Sequence, residues 1–575
     1  EAVVRFRLRA KQALGSGALK LVASGAGKRA SATATVSLRP AGVFQAQLQS
    51  GSFDSGSLEV PLARRLRPER RRLEASLATS PLAIAGGLEA WLAEYPYGCT
   101  EQLVSQALPA TLLAARPELG RTNLAGAPER WARLLVELRA RQNADGGFGY
   151  WPADQDAAPY PSVYALHALL EAQARGQAAP RDMLERGGAW LSDFAAGEDG
   201  ALARERSRAY AIYVLTRMSR VASNFANAEV ERLDARYGKR WRGDITAAWL
   251  AATYQSMRQV APARELIGGL RFTDPARPWA PEAAVRAGNA GAPAGDAEAG
   301  DFDASDGFAY TASVHDAQLA FVLARHFPER LRELAPTALA ALATQPRAGH
   351  STASAAWTVL ALDAWAAAGE SAGPPPALSI EERLAAGQAR ALEPSGTAVR
   401  RAGFSGDAVA LRYAAPRGTR VFWTVTLAGY DREPPRDVLR QGLEIVRDYV
   451  GADGKPVTTV RQGDELTVRV RFRSLAKRDY WDGVVVDVLP GGFEPILDDP
   501  VRPAAGGRWS PDYVDVREDR VIAFGPIGAE AGELSYRIRA TTAGRFVVPP
   551  AYAESMYDPA VQARAAASQI VVEAR

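Results

Sequence analysis

The hydrophobic period of this chain changes twice along its length, and no single layer of secondary structure can follow such a pattern. Up to about residue 60 the period is two: Val4, Phe6 and Leu8 alternate with Arg5, Arg7 and Arg9, and Ala32, Ala34, Val36 and Leu38 with Thr33, Thr35 and Ser37. Glycine and serine at "GSG" and "SGAG" supply turns, so this segment is predicted to be antiparallel β. From about 78 to 372 the apolar residues recur at three- and four-residue spacing, as in "PSVYALHALLEAQARG", "SRAYAIYVLTRMSR", "DITAAWLAATYQSMRQV", "TASVHDAQLAFVLARHF" and "STASAAWTVLALDAWAAAG". These are helices of ordinary length. After "ESAGPPPAL" the alternation returns in "AVALRYAA" and "RVFWTVTLAG" and continues to the last residue.

A chain of 575 residues exceeds what one core can organise. The two short β pieces on either side of the helical block are each too small to stand alone, so they are expected to pair, with the helices inserted between them. Ser162, Ala165, Ala168 and Leu169 share a loose rhythm with Ser354, Trp357, Leu360 and Ala361. Such weak repetition of helix pairs points to an α/α toroid or solenoid. In 431–575, Leu466, Val468, Val470 and Phe472 face one way and Thr467, Arg469 and Arg471 the other, the pattern of a β-sandwich.

Several functions are disfavoured by what surrounds these elements. The formal charge is only +4, and lysine occurs only at positions 11, 20, 28, 239, 455 and 477, so the balance does not argue for nucleic acid. The basic run "LARRLRPERRRLEA", 62–75, has a proline and no aromatics, and is predicted to be a solvated connector. Asp301, Asp303 and Asp306 lie in an Ala/Gly/Asp-rich stretch, 287–307, lacking the glycine and glutamate of an EF-hand, and read as a surface loop. No run of eighteen apolar residues and no targeting segment is visible, and "EAVVRFRLRAK" reads as a strand, as in a piece of a longer protein. The turn "RQNADGGFGYW", 141–151, is expected to cover helix ends with Phe148 and Trp151.

The lone cysteine carries the chemistry. In "EYPYGCTEQLVSQA", 94–107, Cys99 and Gln102 stand at i and i+3 in a helix-like run, so the sulfur and the glutamine carbonyl carbon can meet. Their condensation releases ammonia and leaves a thioester, an acyl group that amines and hydroxyls attack far more readily than an amide. Water attacks it too, so it requires cover. Trp91, Tyr95, Pro96 and Tyr97 precede the sulfur within eight residues, Gly98 clears space beside it, and Pro96 turns the chain so that the aromatics fold over the helix start.

"YGCTEQ", followed by helices carrying "QNADGGFGYW" with β segments on either side, and then "VREDRVIAF…RIRATTAGRFVVPPAYAESMYDPAV", resembles the C-terminal part of a bacterial α2-macroglobulin, over essentially the whole chain. The resemblance implies a multidomain α + β chain. Residues 1–75 and 373–430 are the halves of a CUB-like β domain, 76–372 an α/α toroid thioester domain inserted in it, and 431–575 a receptor-binding-like macroglobulin β-sandwich. It implies a broad-spectrum protease trap that captures its attacker covalently through a lysine amine, in a single turnover and without being an enzyme. Cys99 would be the thioester sulfur, Gln102 the acyl donor and Tyr95 the shielding aromatic, with Tyr97 and Trp91 beside it. No cofactor or metal is called for. A periplasmic, membrane-tethered location and a cell-wall-synthesising penicillin-binding protein as partner are implied in the same way. The upstream domains and bait region of such a trap are not in this chain. Complement-type relatives use a toroid histidine to pass the acyl group to hydroxyls; His167, His315 and His350 are the toroid candidates and none has matching context, so direct attack by amines is expected.

Two other readings stand beside this one. The toroid could be a scaffold or interaction module carrying an unreactive Cys99 thiol, or an enzyme of the terpenoid-cyclase type, although no Asp-rich motif sits on a helix end. The arginine bias has two explanations: a GC-rich genome, or exclusion of internal amines from the neighbourhood of an amine-reactive group.

Overall fold

The structure is a computed structural model describing residues 4, 6, 14–116, 126–152, 154–197, 200–273, 310–343, 346, 349–368, 377–433, 435, 437–476, 479–497, 502–503 and 509–575. The 287–307 stretch with Asp301, Asp303 and Asp306 lies outside these residues. The chain divides into two compact units: residues 46–63 with 72–428, and residues 1–45 and 64–71 with 429–575.

In the first unit, a sheet flanks a block of helices in sequence. β3 (Gln45–Pro61) and β4 (Arg72–Ala78) precede the helices; β5 (Ser379–Leu384), β6 (Ala389–Ala391), β7 (Arg400–Gly403) and β8 (Ala408–Gly429) follow them. The sheet order is β6-β5-β8-β4-β7, with β3 also on β8, and β4 runs antiparallel to β8 with Ala75 opposite Val425. The pairing expected from the sequence is therefore made. It draws on residues 45–61 and 72–78, while among the described residues β1 (Gly15–Gly25) and β2 (Lys28–Leu38) pair only with each other. In that hairpin Leu19, Leu21, Ala32, Ala34 and Val36 share one face, and Lys20, Ser31, Thr33 and Thr35 the other.

Twelve described helices lie between β4 and β5: α1 (Leu82–Leu92), α2 (Thr100–Ala114), α3 (Ala127–Arg141), α4 (Pro159–Gln173), α5 (Arg181–Ala196), α6 (Leu202–Arg217), α7 (Ser223–Tyr237), α8 (Ile245–Ser256), α9 (Val260–Gly268), α10 (Ala312–His326), α11 (Pro328–Ala343) and α12 (Thr352–Ala367). Packing runs α2 to α4, α4 to α6, α6 to α8, α8 to α10, α10 to α12 and α12 back to α2, a closed cycle of every second helix for most of its length. The helices of the cycle are buried nearly all round: in α12 every residue from Thr352 to Trp365 is buried. The three- and four-residue spacing read in the sequence thus understates them, because a helix enclosed on all sides needs no polar face. Of the remaining helices α1 is likewise buried from Ala83 to Leu92, whereas others are amphipathic, as α3 is with Trp131, Leu134 and Leu138 inward.

Start meets start and end meets end around the cycle. Capping at the starts is local: Asp244, Thr311 and Ser351 accept from the backbone N–H of Thr246, Val314 and Ser354 at the heads of α8, α10 and α12. At the other end Glu171 of α4 is paired with Arg175 (2.9 Å), Arg217 of α6 (2.8 Å) and Arg325 of α10 (3.0 Å), and Asp363 of α12 is paired with Arg175 and with Arg116 beyond α2 (2.7 Å). Burial alone would raise the Glu171 carboxyl, but His167 and the guanidiniums of Arg325 and Arg217 hold it far below the usual carboxylate range. Four arginines against two carboxylates leave an excess of positive charge, which the converging helix C-termini offset.

The second unit contains the C-terminal strands, in sheets built around Gly532–Ala540 beside Glu465–Ser474, around Gly483–Val488, and around Ser568–Glu573. Leu466, Val468, Val470 and Phe472 are buried, Arg469 and Arg471 are exposed, and the former join a core with Ile445, Tyr536, Ile538 and Ile570. In the 62–75 run, the solvated connector is corrected in part. Leu66 is buried, and the Arg64 guanidinium donates to Asp431 (3.0 Å) and to the carbonyls of Gln45 and Gly429. None of the described helices is long and apolar enough to cross a membrane.

Candidate functional site

Cys99 is not inside the helix but at its threshold. It is the N-cap of α2, extended at φ −66° and ψ 167°, and Gln102 is the third helical residue. The two form a reciprocal capping box. The Cys99 sulfur accepts from the Gln102 backbone N–H, and the Gln102 Oε1 accepts from the Cys99 N–H at 3.1 Å. Sulfur and side-chain amide are thereby folded onto the same turn. Both are sealed: Cys99 is 2% exposed and Gln102 0%.

Each neighbour of the cysteine is held separately. Thr100 donates its N–H to the Tyr150 carbonyl (2.9 Å) and its hydroxyl to the Gly149 carbonyl (2.5 Å). The Arg141 guanidinium reaches the Gly98 carbonyl at 3.3 Å, and Gln106 donates to the Tyr97 carbonyl at 2.8 Å. The 141–151 turn therefore does more than cover helix ends. Phe148 and Trp151 are buried as expected, and the turn also presents two carbonyls to the residue beside the sulfur. Its glycines are sites of close approach: a Cβ on Gly146, at φ +99°, would lie 2.3 Å from the Arg186 carbonyl oxygen, and one on Gly149 would lie 2.4 Å from the Asp154 Cβ.

Ahead of the cysteine, Trp91 touches Tyr95 and Tyr95 touches Tyr97, both with ring centroids 5.4 Å apart, the second pair edge to face. Trp91 and Tyr97 are buried and Tyr95 is half-buried, and the Trp91 indole N–H donates to the Ala46 carbonyl at 3.0 Å. The structure thus makes one contiguous aromatic run of the three residues.

Glu101, to which the sequence assigned no role, is the polar hub beneath the turn. It is completely buried, and its two oxygens accept from Ser105 (2.5 Å) and from Thr352 at the head of α12 (2.7 Å). Ser105 also lies 3.2 Å from the Tyr164 hydroxyl of α4. Burial first, and then the nearby Glu101, push the Tyr164 phenol well above its ordinary range, so it stays a neutral hydrogen-bonding group. A separation of 251 residues between Glu101 and Thr352 left no pattern that a reading of the sequence could use.

His167, His315 and His350 are buried, and burial pushes each below the ordinary imidazole range. His167 sits 2.7 Å from the Tyr210 hydroxyl and 3.3 Å from Glu171, and His315 bonds Tyr310 at 2.7 Å. His350 precedes the α12 cap and has Ser354 at 3.4 Å; burial pushes its pKa down to about 4. The unfolded chain binds a proton below the ordinary value of 6.5 and the folded one does not, so this group's contribution is intact above 6.5 and lost as pH falls toward 4. His350→Gln removes that term. The stability difference between parent and variant is expected to shift against the parent by about 2 kcal/mol between neutral pH and about pH 5. Urea midpoints at the two pH values check this; a constant difference overturns it.

A family profile for the "Bacterial Alpha-2-macroglobulin MG10 domain" matches residues 442–560. A relative from Yersinia pestis, "Alpha-2-macroglobulin homolog", is 31% identical over 98% of this chain, and "Alpha-2-macroglobulin" of Rickettsia conorii is 28% identical over 100% of it. The chain belongs to the bacterial α2-macroglobulin family. It spans 28% and 30% of the length of those two relatives. Among solved α2-macroglobulins, the Salmonella protein reacted with methylamine superposes with a TM-score of 0.75 at 20% identity, covering 98% of this chain and 36% of that one. Native Escherichia coli α2-macroglobulin, "spanning the residues from domain MG7 to the C-terminus", gives 0.75 at 19% identity, covering 98% of this chain and 88% of that one. The fold is α2-macroglobulin-like, mixing helical and β parts with β-sandwich sheets.

Proposed function

We propose that Cys99 and Gln102 form an internal thioester, and that this chain is the C-terminal, covalently capturing part of a broad-spectrum protease trap. The observation that carries the reading is the reciprocal capping box, which brings the one thiol and a side-chain amide onto one buried turn. In the forming step the sulfur attacks the Gln102 Cδ, the Cδ–N bond breaks and ammonia departs. In the capturing step a lysine amine of the bound protease attacks the same carbon, the C–S bond breaks, an amide forms and Cys99 recovers its proton. Tyr95, Tyr97 and Trp91 shield the acyl group from water until then. The molecule is consumed by one reaction, so it acts as an inhibitor and not as an enzyme.

On this reading the closed helix cycle is the α/α toroid thioester domain, the sheet of β3 to β8 a CUB-like domain, and the last strands a receptor-binding-like macroglobulin domain. The names of the relatives support the trap. A periplasmic, membrane-tethered parent and a penicillin-binding protein as partner belong to the same proposal and rest on resemblance. The test is intact mass. Gently purified protein is expected to weigh one ammonia less than its sequence, and methylamine is expected to add one methylamine to that mass and expose one thiol. A full sequence mass, with Cys99 labelled rapidly by a thiol reagent before any amine is added, would favour the scaffold reading.

A further inference from the structure

One peptide group joins two hydrogen bonds at the Cys99 turn. The carbonyl of the Gly98–Cys99 peptide accepts from the Arg141 Nη2 at 3.3 Å, and the N–H of the same peptide donates to the Gln102 Oε1 at 3.1 Å. A donor on the oxygen of an amide draws electrons toward that oxygen and makes its N–H a stronger donor, so hydrogen bonds in series reinforce one another. Here the first donor is a cation, and Arg141, Cys99 and Gln102 are all buried, where water dilutes the effect little.

The guanidinium is held for this contact. Arg141 ends α3, and its Nη1 donates to the carboxylate and, at 3.1 Å, to the carbonyl of Glu137 one turn earlier. Its Nε is buried and donates to no described residue. Among the described residues, the Gly98 carbonyl is thus the only acceptor outside α3 that this guanidinium reaches. Residue type matters as well. A lysine amine placed here would be a nucleophile for a neighbouring acyl carbon, whereas a guanidinium is a permanent cation that does not attack.

In the thioester proposed above, on which this role rests, the Gln102 Oε1 is the acyl oxygen. An amine adding to the Gln102 Cδ forms a C–N bond and moves the carbonyl electron pair onto Oε1; collapse of that oxyanion restores the carbonyl and breaks the C–S bond, and the surplus proton of the amine ends on sulfur. We propose that Arg141 is a positioning residue for this step: through the Gly98–Cys99 peptide it fixes and strengthens the N–H that receives the oxyanion. Donors set in advance where charge develops are among the strongest contributors to acyl transfer.

Arg141→Met is expected to slow attack by methylamine about tenfold, less than the loss of a whole oxyanion donor because the Cys99 N–H remains. Thiol release from the full chain reads the rate. The sign separates this role from a merely structural one, since a loosened turn admits small amines and speeds the reaction. Arg139→Met, on the same helix with its side chain 57% exposed, is expected to react as the parent does. Methylguanidinium, a cation without a nucleophilic amine, is expected to restore part of the rate lost in Arg141→Ala, and sodium to restore none. Should Arg141→Met carry no thioester, Arg141→Gln, which keeps a neutral donor, is measured in its place and is expected to react more slowly than the parent. A parent without the ammonia mass defect overturns the thioester and this role with it. A parent that carries the defect, beside Arg141 variants that react as fast or faster, overturns this role alone. Equal slowing in Arg139→Met, or no more rescue by methylguanidinium than by sodium, does the same.

Discussion

Gly146→Ala is expected to destabilise the helical unit by about 4 kcal/mol. Two effects add. An L-residue held at this positive φ is strained by about 1–3 kcal/mol, and overpacking adds a similar amount. The overlap cannot be relieved by turning a side chain, because the atom met first is the backbone oxygen of Arg186. The damage should also travel. Gln142 anchors the turn on the Gly146 carbonyl at 3.0 Å, and the same turn offers Gly149 and Tyr150 to Thr100. On the proposed chemistry the variant therefore reacts with methylamine and water faster than the parent. A urea midpoint and a rate of thiol release measure both; an unchanged midpoint would sink the first claim, and an unchanged rate the link between turn and cysteine.

Glu101→Ala is expected to cost a comparable amount, about 4 kcal/mol, for a different reason. Two hydrogen bonds to a carboxylate are lost, each worth about 1.5–3 kcal/mol, and the hydroxyls of Ser105 and Thr352 are stranded inside the protein. Glu101→Gln keeps one carbonyl acceptor and should retain part of the stability. The helices concerned are the first and last of the closed cycle, so the loss should appear as earlier exchange of amides at the heads of α2 and α12. Protection equal to the parent at both helix heads would show that Glu101 fastens nothing.

Much of this was legible in the chain because it is local. The change of period separates strands from helices, Asp244, Thr311 and Ser351 mark helix heads, and the Cys99 to Gln102 spacing anticipates a meeting on one turn. Even there the geometry differs from the expectation. Two positions on a helical face became an N-cap and its third residue, a difference of one backbone torsion that spacing alone does not carry. What was not legible is what distance in sequence conceals. The carboxylate of Glu101 finds Thr352 only once the helix cycle closes, and Leu66 and Arg64 look like solvated connector until Asp431 and Gly429 arrive from the far end of the chain. Inner and outer helices differ by whether polar residues interrupt the apolar spacing, and several polar side chains of the inner ones, such as Glu171 and Asp363, are buried because their partners come from neighbouring helices.

The position of the sulfur at the head of α2 bears on the moment after capture. On the proposed chemistry, sulfur leaves as an anion when an amine takes the acyl carbon, and a helix N-terminus is where a thiolate is most comfortable, with aligned peptide dipoles behind it and the Gln102 N–H already pointing at it. The same N–H that caps the helix in the resting chain would thus receive the leaving group, so the departure of sulfur needs neither a separate acid nor a rearrangement of the turn.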